Sequence, residues 1–148
     1  MFWAWRPDGA GFARNSFSGI FISLVPSRVA VKRVLVVEDD DDTRAVLCEI
    51  LTGAGFETDA VADGRAAIDF LGRNPAPRVI LLDMFMPKMD GWQFRRAQLA
   101  DREWSRIPVV VVSAEGTTLG SAFGFGAAAF LRKPVRASDL VNAVELVV

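Results

Sequence analysis

At 148 residues the chain is long enough for one ordinary core, and its composition, 51% hydrophobic and 24% charged, is that of a globular domain. A formal net charge of -1 gives no bulk attraction to nucleic acid or anionic lipid, which argues against direct nucleic-acid binding. One cysteine excludes an internal disulfide and fits a reducing cytoplasm, and the lack of histidine excludes an internal histidine phosphocarrier, His base or His metal ligand.

Residues 1–31 scatter Trp3, Trp5, Phe2, Phe12 and Phe17 among Gly, Ser and Arg with no period, and read as a flexible extension or an anchoring or partner-binding segment. Its most apolar part, Phe17 to Val25, is about half of the ~20 residues that cross a bilayer, so no membrane span is expected. Ser18, Gly19 and Ser23 also make it a poor signal peptide. From Lys32 to Val148, read as one domain, short apolar runs alternate with amphipathic stretches, the pattern of a parallel sheet built from βα repeats.

Val34 to Val37 reads as a strand covered on both faces. Thr43 to Thr52 reads as a helix presenting Val46, Leu47, Ile50 and Leu51, with Cys48 a packing residue, and Gly53 and Gly55 stop it. A weak strand over Thr58 to Val61 precedes a helix from about Arg65 to Leu71, ended by Gly72 and the pair Pro75 and Pro77. Val79 to Leu82 is the next strand, followed by a helix from Gly91 to Leu99 and a strand from Val109 to Val112. The Gly-rich Thr117 to Gly126 predicts a short or frayed helix, Ala129 to Leu131 a brief strand, and Ser138 a cap for a final helix that turns Leu140, Val141, Val144 and Val147 or Val148 inward. Five strands and five helices in alternation predict an α/β fold with helices on both faces.

Polar residues stand at four strand ends: Glu38 and Asp39, Asp83, Ser113, and Lys133. In an open parallel sheet these ends share one edge, where ligands bind. Clustered carboxylates repel unless a cation relieves them, and oxygen donors without His or Cys suit magnesium. A carboxylate can accept a phosphoryl group as an acyl phosphate if the transferred charge is neutralised, which a metal, the Lys133 amine and the Ser113 hydroxyl would do. Each feature alone has a blander reading: Glu38 to Asp42 as a solvated run capping the next helix, Lys133 as a surface lysine, Ser113 as a turn residue. Their joint placement carries the functional reading.

The stretches V-L-V-V-E-D-D, L-L-D-M-F-M-P-K-M-D-G, V-V-V-V-S-A and F-L-R-K-P-V resemble the receiver domains of two-component response regulators over roughly Lys32 to Val148. The resemblance implies a doubly wound, flavodoxin-like five-stranded parallel sheet of order 2-1-3-4-5. It implies Asp83 as phosphoacceptor, with Mg2+ held by Asp39, by Asp83, by the backbone carbonyl of Phe85 and, mostly through water, by Glu38. Ser113 and Lys133 would contact the phosphoryl group, the Lys133–Pro134 bond would be cis, and Phe130 would be the switch aromatic. Phe85 and Glu115 sit where the family tunes the phosphoryl lifetime. The sequence departs from the family in Glu38, where Asp is commoner, and in Phe130, where Tyr is frequent. The expected donor is a sensor histidine kinase, a histidine phosphotransfer protein or a small phosphodonor, in the cytoplasm. With no output domain read after the last helix, a stand-alone regulator is expected to act through contacts of its phosphorylated face.

A pseudo-receiver that only binds proteins is the alternative, although the acceptor and the lysine are both present. An aspartyl-phosphate hydrolase would need a second carboxylate where Phe85 stands. A flavin or nucleotide site is disfavoured because the turn after the first strand is acidic rather than Gly-rich.

Overall fold

A computed structural model describes residues 31–114, 124 and 126–148. Five strands, β1 (Arg33–Val37), β2 (Glu57–Val61), β3 (Val79–Asp83), β4 (Val109–Ser113) and β5 (Ala129–Arg132), form one parallel sheet of order β2-β1-β3-β4-β5. The helices are α1 (Asp41–Gly53), α2 (Gly64–Arg73), α3 (Gly91–Ala100) and α4 (Ala137–Val147), with a short 3-10 turn at Trp104–Arg106. The helix expected over Thr117 to Gly126 falls almost wholly outside the described residues.

The apolar runs in β1, β3 and β4 are continuous because both sheet faces are covered. Alternate residues point to opposite sides. Leu35, Val37, Ile80, Leu82, Val109 and Val111 meet Ala67 and Leu71 of α2 and Phe94 of α3. Val34, Val36, Val79, Leu81, Val110 and Val112 meet Leu47 and Leu51 of α1 and Leu140 and Val144 of α4.

Two local expectations are corrected. Val46 is 52% exposed, because at 100° per residue it lies far round α1 from the Leu47–Leu51 stripe; Ile50 and Cys48 flank that stripe half-buried. Ser138 does not cap the last helix: the extended residue at its start is Arg136, which makes no side-chain cap bond, so Ser138 already lies in the first turn. The cap of α1 comes from the acidic run that precedes it: the Asp40 carboxylate accepts the Thr43 N–H at 2.7 Å.

Composition and period gave no hint of a buried polar strap at the other edge of the sheet. Arg95 donates to Gln98 Oε1 (2.8 Å) and to the Gly126 carbonyl (3.1 Å). The Gln98 amide donates in turn to the Trp104 and Ile107 carbonyls. Burial holds the Arg95 guanidinium below its ordinary pKa, yet its charge suits these carbonyls and ties α3 to the chain entering β4 and β5.

Candidate phosphoryl and metal site

The strand register brings the distant polar residues together. Val37 pairs with Leu82, Asp83 with Val112, and Ser113 with Arg132. Glu38 therefore leaves β1 level with Asp83, Ser113 stands one position beyond Asp83, and Lys133 one position beyond Ser113. The Lys133 N–H closes this corner on the Ser113 carbonyl (2.9 Å). Lys133–Pro134 is cis, as the resemblance implies.

Lys133 is the hub of the charged groups. Its Nζ donates to Glu38 Oε2 at 2.6 Å and lies 3.4 Å from Asp83 Oδ2. Asp83 Oδ1 accepts the Phe85 N–H (3.2 Å), and Glu38 Oε1 accepts the Asp40 N–H (3.2 Å). Arg44 of α1 donates to the Glu38 carbonyl (2.9 Å), a contact no motif announced. Glu38, Asp83 and Ser113 are buried, whereas Asp39 is exposed. Phe130 is half-buried against the core, Phe85 is 51% exposed, and Glu115 lies outside the described residues.

Burial pushes the Asp83 carboxyl above its ordinary pKa, with Asp39 adding to the rise against the Lys133 charge and the Phe85 N–H. Burial likewise raises Glu38, helped by Asp83 and opposed by its bond to Lys133. Burial alone would lower the Lys133 amine, but the bond to Glu38 and the charges of Asp83 and Glu38 outweigh it and raise its pKa. Asp40 is held low by the backbone N–H of Thr43, as befits a helix cap.

The Lys133 ammonium thus meets two carboxylates, Glu38 and Asp83, beside which Asp39 adds a third. Glu38, Asp39 and Asp83 can each offer an oxygen, all within 4.8 Å of one another. This oxygen-only set with surplus negative charge fits a hard divalent cation.

Two glycines lock the loop that carries the site. The Gly91 N–H donates to the Met84 carbonyl (3.0 Å), and a Cβ there would lie 2.6 Å from the Asp83 carbonyl oxygen. The Gly64 N–H donates to the Met89 carbonyl (3.1 Å), and a Cβ there would lie 2.8 Å from the same oxygen. The loop is thereby pressed against the first turns of both α2 and α3.

Replacing Lys133 with Met is expected to destabilise the chain by about 1–3 kcal/mol, less than a fully buried pair because the amine reaches solvent. Urea unfolding checks it, and unchanged stability would show that the lysine adds nothing net to these carboxylates.

A family model described as the response regulator receiver domain matches residues 34–145. The rice (Oryza sativa subsp. indica) two-component response regulator ORR11 is 36% identical over 113 residues, 75% of this chain and 77% of that protein. The chemotaxis response regulator CheY4 of Vibrio cholerae superposes with TM-score 0.72 at 26% identity, covering 80% of this chain and 99% of that one. The signal receiver domain of a histidine kinase from Syntrophus aciditrophicus gives TM-score 0.73 at 28% identity, over 79% and 89% of the two chains.

Proposed function

Because the chain belongs to the response regulator receiver domain family of two-component signalling, we propose that Asp83 is its phosphoacceptor, served by Lys133, Ser113 and a magnesium site at Glu38, Asp39, Asp83 and the Phe85 carbonyl. The observation that carries this reading is the Lys133 amine lying 2.6 Å from Glu38 and 3.4 Å from Asp83 across three βα units. It supports a carboxylate nucleophile with a cation already beside it.

In the proposed reaction an Asp83 oxygen attacks the phosphorus of a phosphohistidine on a sensor kinase or phosphotransfer protein, or of a small acyl phosphate. The bond from phosphorus to the donor breaks, and its electron pair leaves with the imidazole or carboxylate. Bound magnesium would neutralise charge on the transferred oxygens. Lys133 pairs with the new phosphoryl dianion, Glu38 and the Phe85 N–H hold the amine and the acceptor in place, and the Ser113 hydroxyl donates to a phosphoryl oxygen. The shift at Ser113 and the inward turn of Phe130 alter the face presented to a downstream protein. The chain catalyses at most its own phosphorylation and dephosphorylation. Among the described residues no helix is long and apolar enough to cross a membrane. Action in the cytoplasm, where histidine kinases donate, is part of the proposal.

Incubation with acetyl phosphate and magnesium is expected to place one acid-labile, hydroxylamine-sensitive phosphoryl group on the peptide containing Asp83, read by mass spectrometry. An absent label, or one on another residue, would reject the assignment.

A further inference from the structure

The ring of Phe85 is large, apolar and half in solvent, yet it is not left to swing. Trp92 meets it edge to face, with ring centroids 5.3 Å apart at 70°. Trp92 is itself fixed by the first turn of α3. Asp90 and Gln93 close a capping box there, and Gly91 lodges beneath the Asp83 carbonyl. The Phe85 N–H is bonded to the Asp83 carboxylate. Both rings are therefore referenced to the acceptor, one through the backbone of β3 and the other through α3.

The pair lines a groove of about 420 Å3 whose other apolar walls are Met84, Met86 and Pro87. Asp39 stands on the same groove, and its carboxylate lies within 4.8 Å of that of Asp83. The groove thus opens beside the acceptor. Asp83 itself is only 4% exposed, so anything that reacts there arrives through a restricted opening.

We propose that Trp92 is a positioning residue for the phosphoryl lifetime: it braces Phe85 as an apolar screen that keeps water from the acyl phosphate. This rests on the acceptor role of Asp83 and adds the direction of the effect and a residue outside the phosphoryl motif. In hydrolysis a water oxygen attacks phosphorus in line with the bond to Asp83. That bond breaks with its electron pair on the carboxylate, and both hydrogens of the water leave on dihydrogen phosphate, which exchanges one with solvent. Such a water needs a site and hydrogen-bond partners near the phosphorus, and an aromatic ring held against the groove offers neither. Without Trp92 the Phe85 ring can rotate away and admit it.

The test is loss of label from phosphorylated protein in magnesium after the donor is removed, for the parent, Phe85→Ala, Trp92→Ala, Trp92→Phe and the double alanine variant. Phe85→Ala and Trp92→Ala are each expected to hasten loss by roughly fivefold, an effect of about 1 kcal/mol on the barrier. Trp92→Phe, which keeps a ring edge, should stay near the parent, and the double variant should lose label no faster than Phe85→Ala. Trp92→Leu, which keeps apolar volume without a ring edge, carries the same expectation where the alanine variant does not fold. A parent-like lifetime in Trp92→Ala or Trp92→Leu, or independent multiplying effects in the double variant, would overturn the bracing role while leaving the acceptor role intact. A parent that takes no label would instead remove the acceptor role, and the bracing role with it.

Discussion

Asp83→Asn is expected to abolish labelling by acetyl phosphate and, without magnesium, to melt some 2–5 °C above the parent. The two effects have one cause. Glu38, Asp39 and Asp83 share a corner beside the Lys133 ammonium, and burial together with the Asp39 charge raises the Asp83 pKa. An amide has nearly the same shape and removes one of three repelling charges, while Lys133 keeps its 2.6 Å bond to Glu38. The amide nitrogen is no nucleophile toward phosphorus, so labelling stops. Magnesium is expected to raise the melting temperature of the parent and to do so much less in the variant, because a divalent ion and the amide relieve the same repulsion. Thermal melts with and without magnesium check both. A variant that melts below the parent in its absence would mean that the Lys133–Asp83 attraction outweighs the repulsion, and a persisting label would displace the acceptor.

Gly91→Ala is expected to cost about 2–4 kcal/mol and to depress phosphorylation, although it adds one methyl group at a helix N-terminus, where alanine would ordinarily be tolerated. A Cβ at this position would come within 2.7 Å of the Met84 Cα and nearer still to the Asp83 carbonyl oxygen. Both are backbone atoms, so no rotamer change makes room. The first turn of α3 must back away, breaking the Gly91 N–H bond to Met84 and loosening the strand end that carries Asp83. Gly72, where an added Cβ would meet nothing within 4 Å beyond its own helix, is the control: alanine there should be neutral or slightly stabilising. Urea denaturation of the two variants gives the comparison, and equal stabilities would mean that the loop yields more readily than its packing suggests.

The fold was legible because its information is local and redundant. The β-branched and Leu runs Val34 to Val37, Val79 to Leu82 and Val109 to Val112 read as strands buried on two faces, and they fill β1, β3 and β4. Finer placement failed where two local signals competed. Val46 is as apolar as Leu47 but lies off the buried stripe, and Ser138 is a good capping residue two positions too late. The polar strap of Arg95 and Gln98 was invisible for a different reason. Its partners are the backbone carbonyls of Trp104, Ile107 and Gly126, and a carbonyl leaves no mark in a sequence.

For the site, the sequence by itself determined which groups were present and which strand ends bore them: an acidic pair, a lone Asp, a Ser and a Lys with no histidine among them. That was enough to propose a chemistry, because residue type fixes which groups can be nucleophile, cation or metal donor. Only the tertiary structure decided how they act on one another. That Lys133 is bonded to Glu38 and more distant from Asp83, that Asp40 is a cap while Asp39 faces the cluster, and that Trp92 meets Phe85 edge to face all depend on strand register and on the seating of α3. Electrostatic and packing energies change over a few ångströms, a distance that chain order does not encode and that the packing of separate βα units sets.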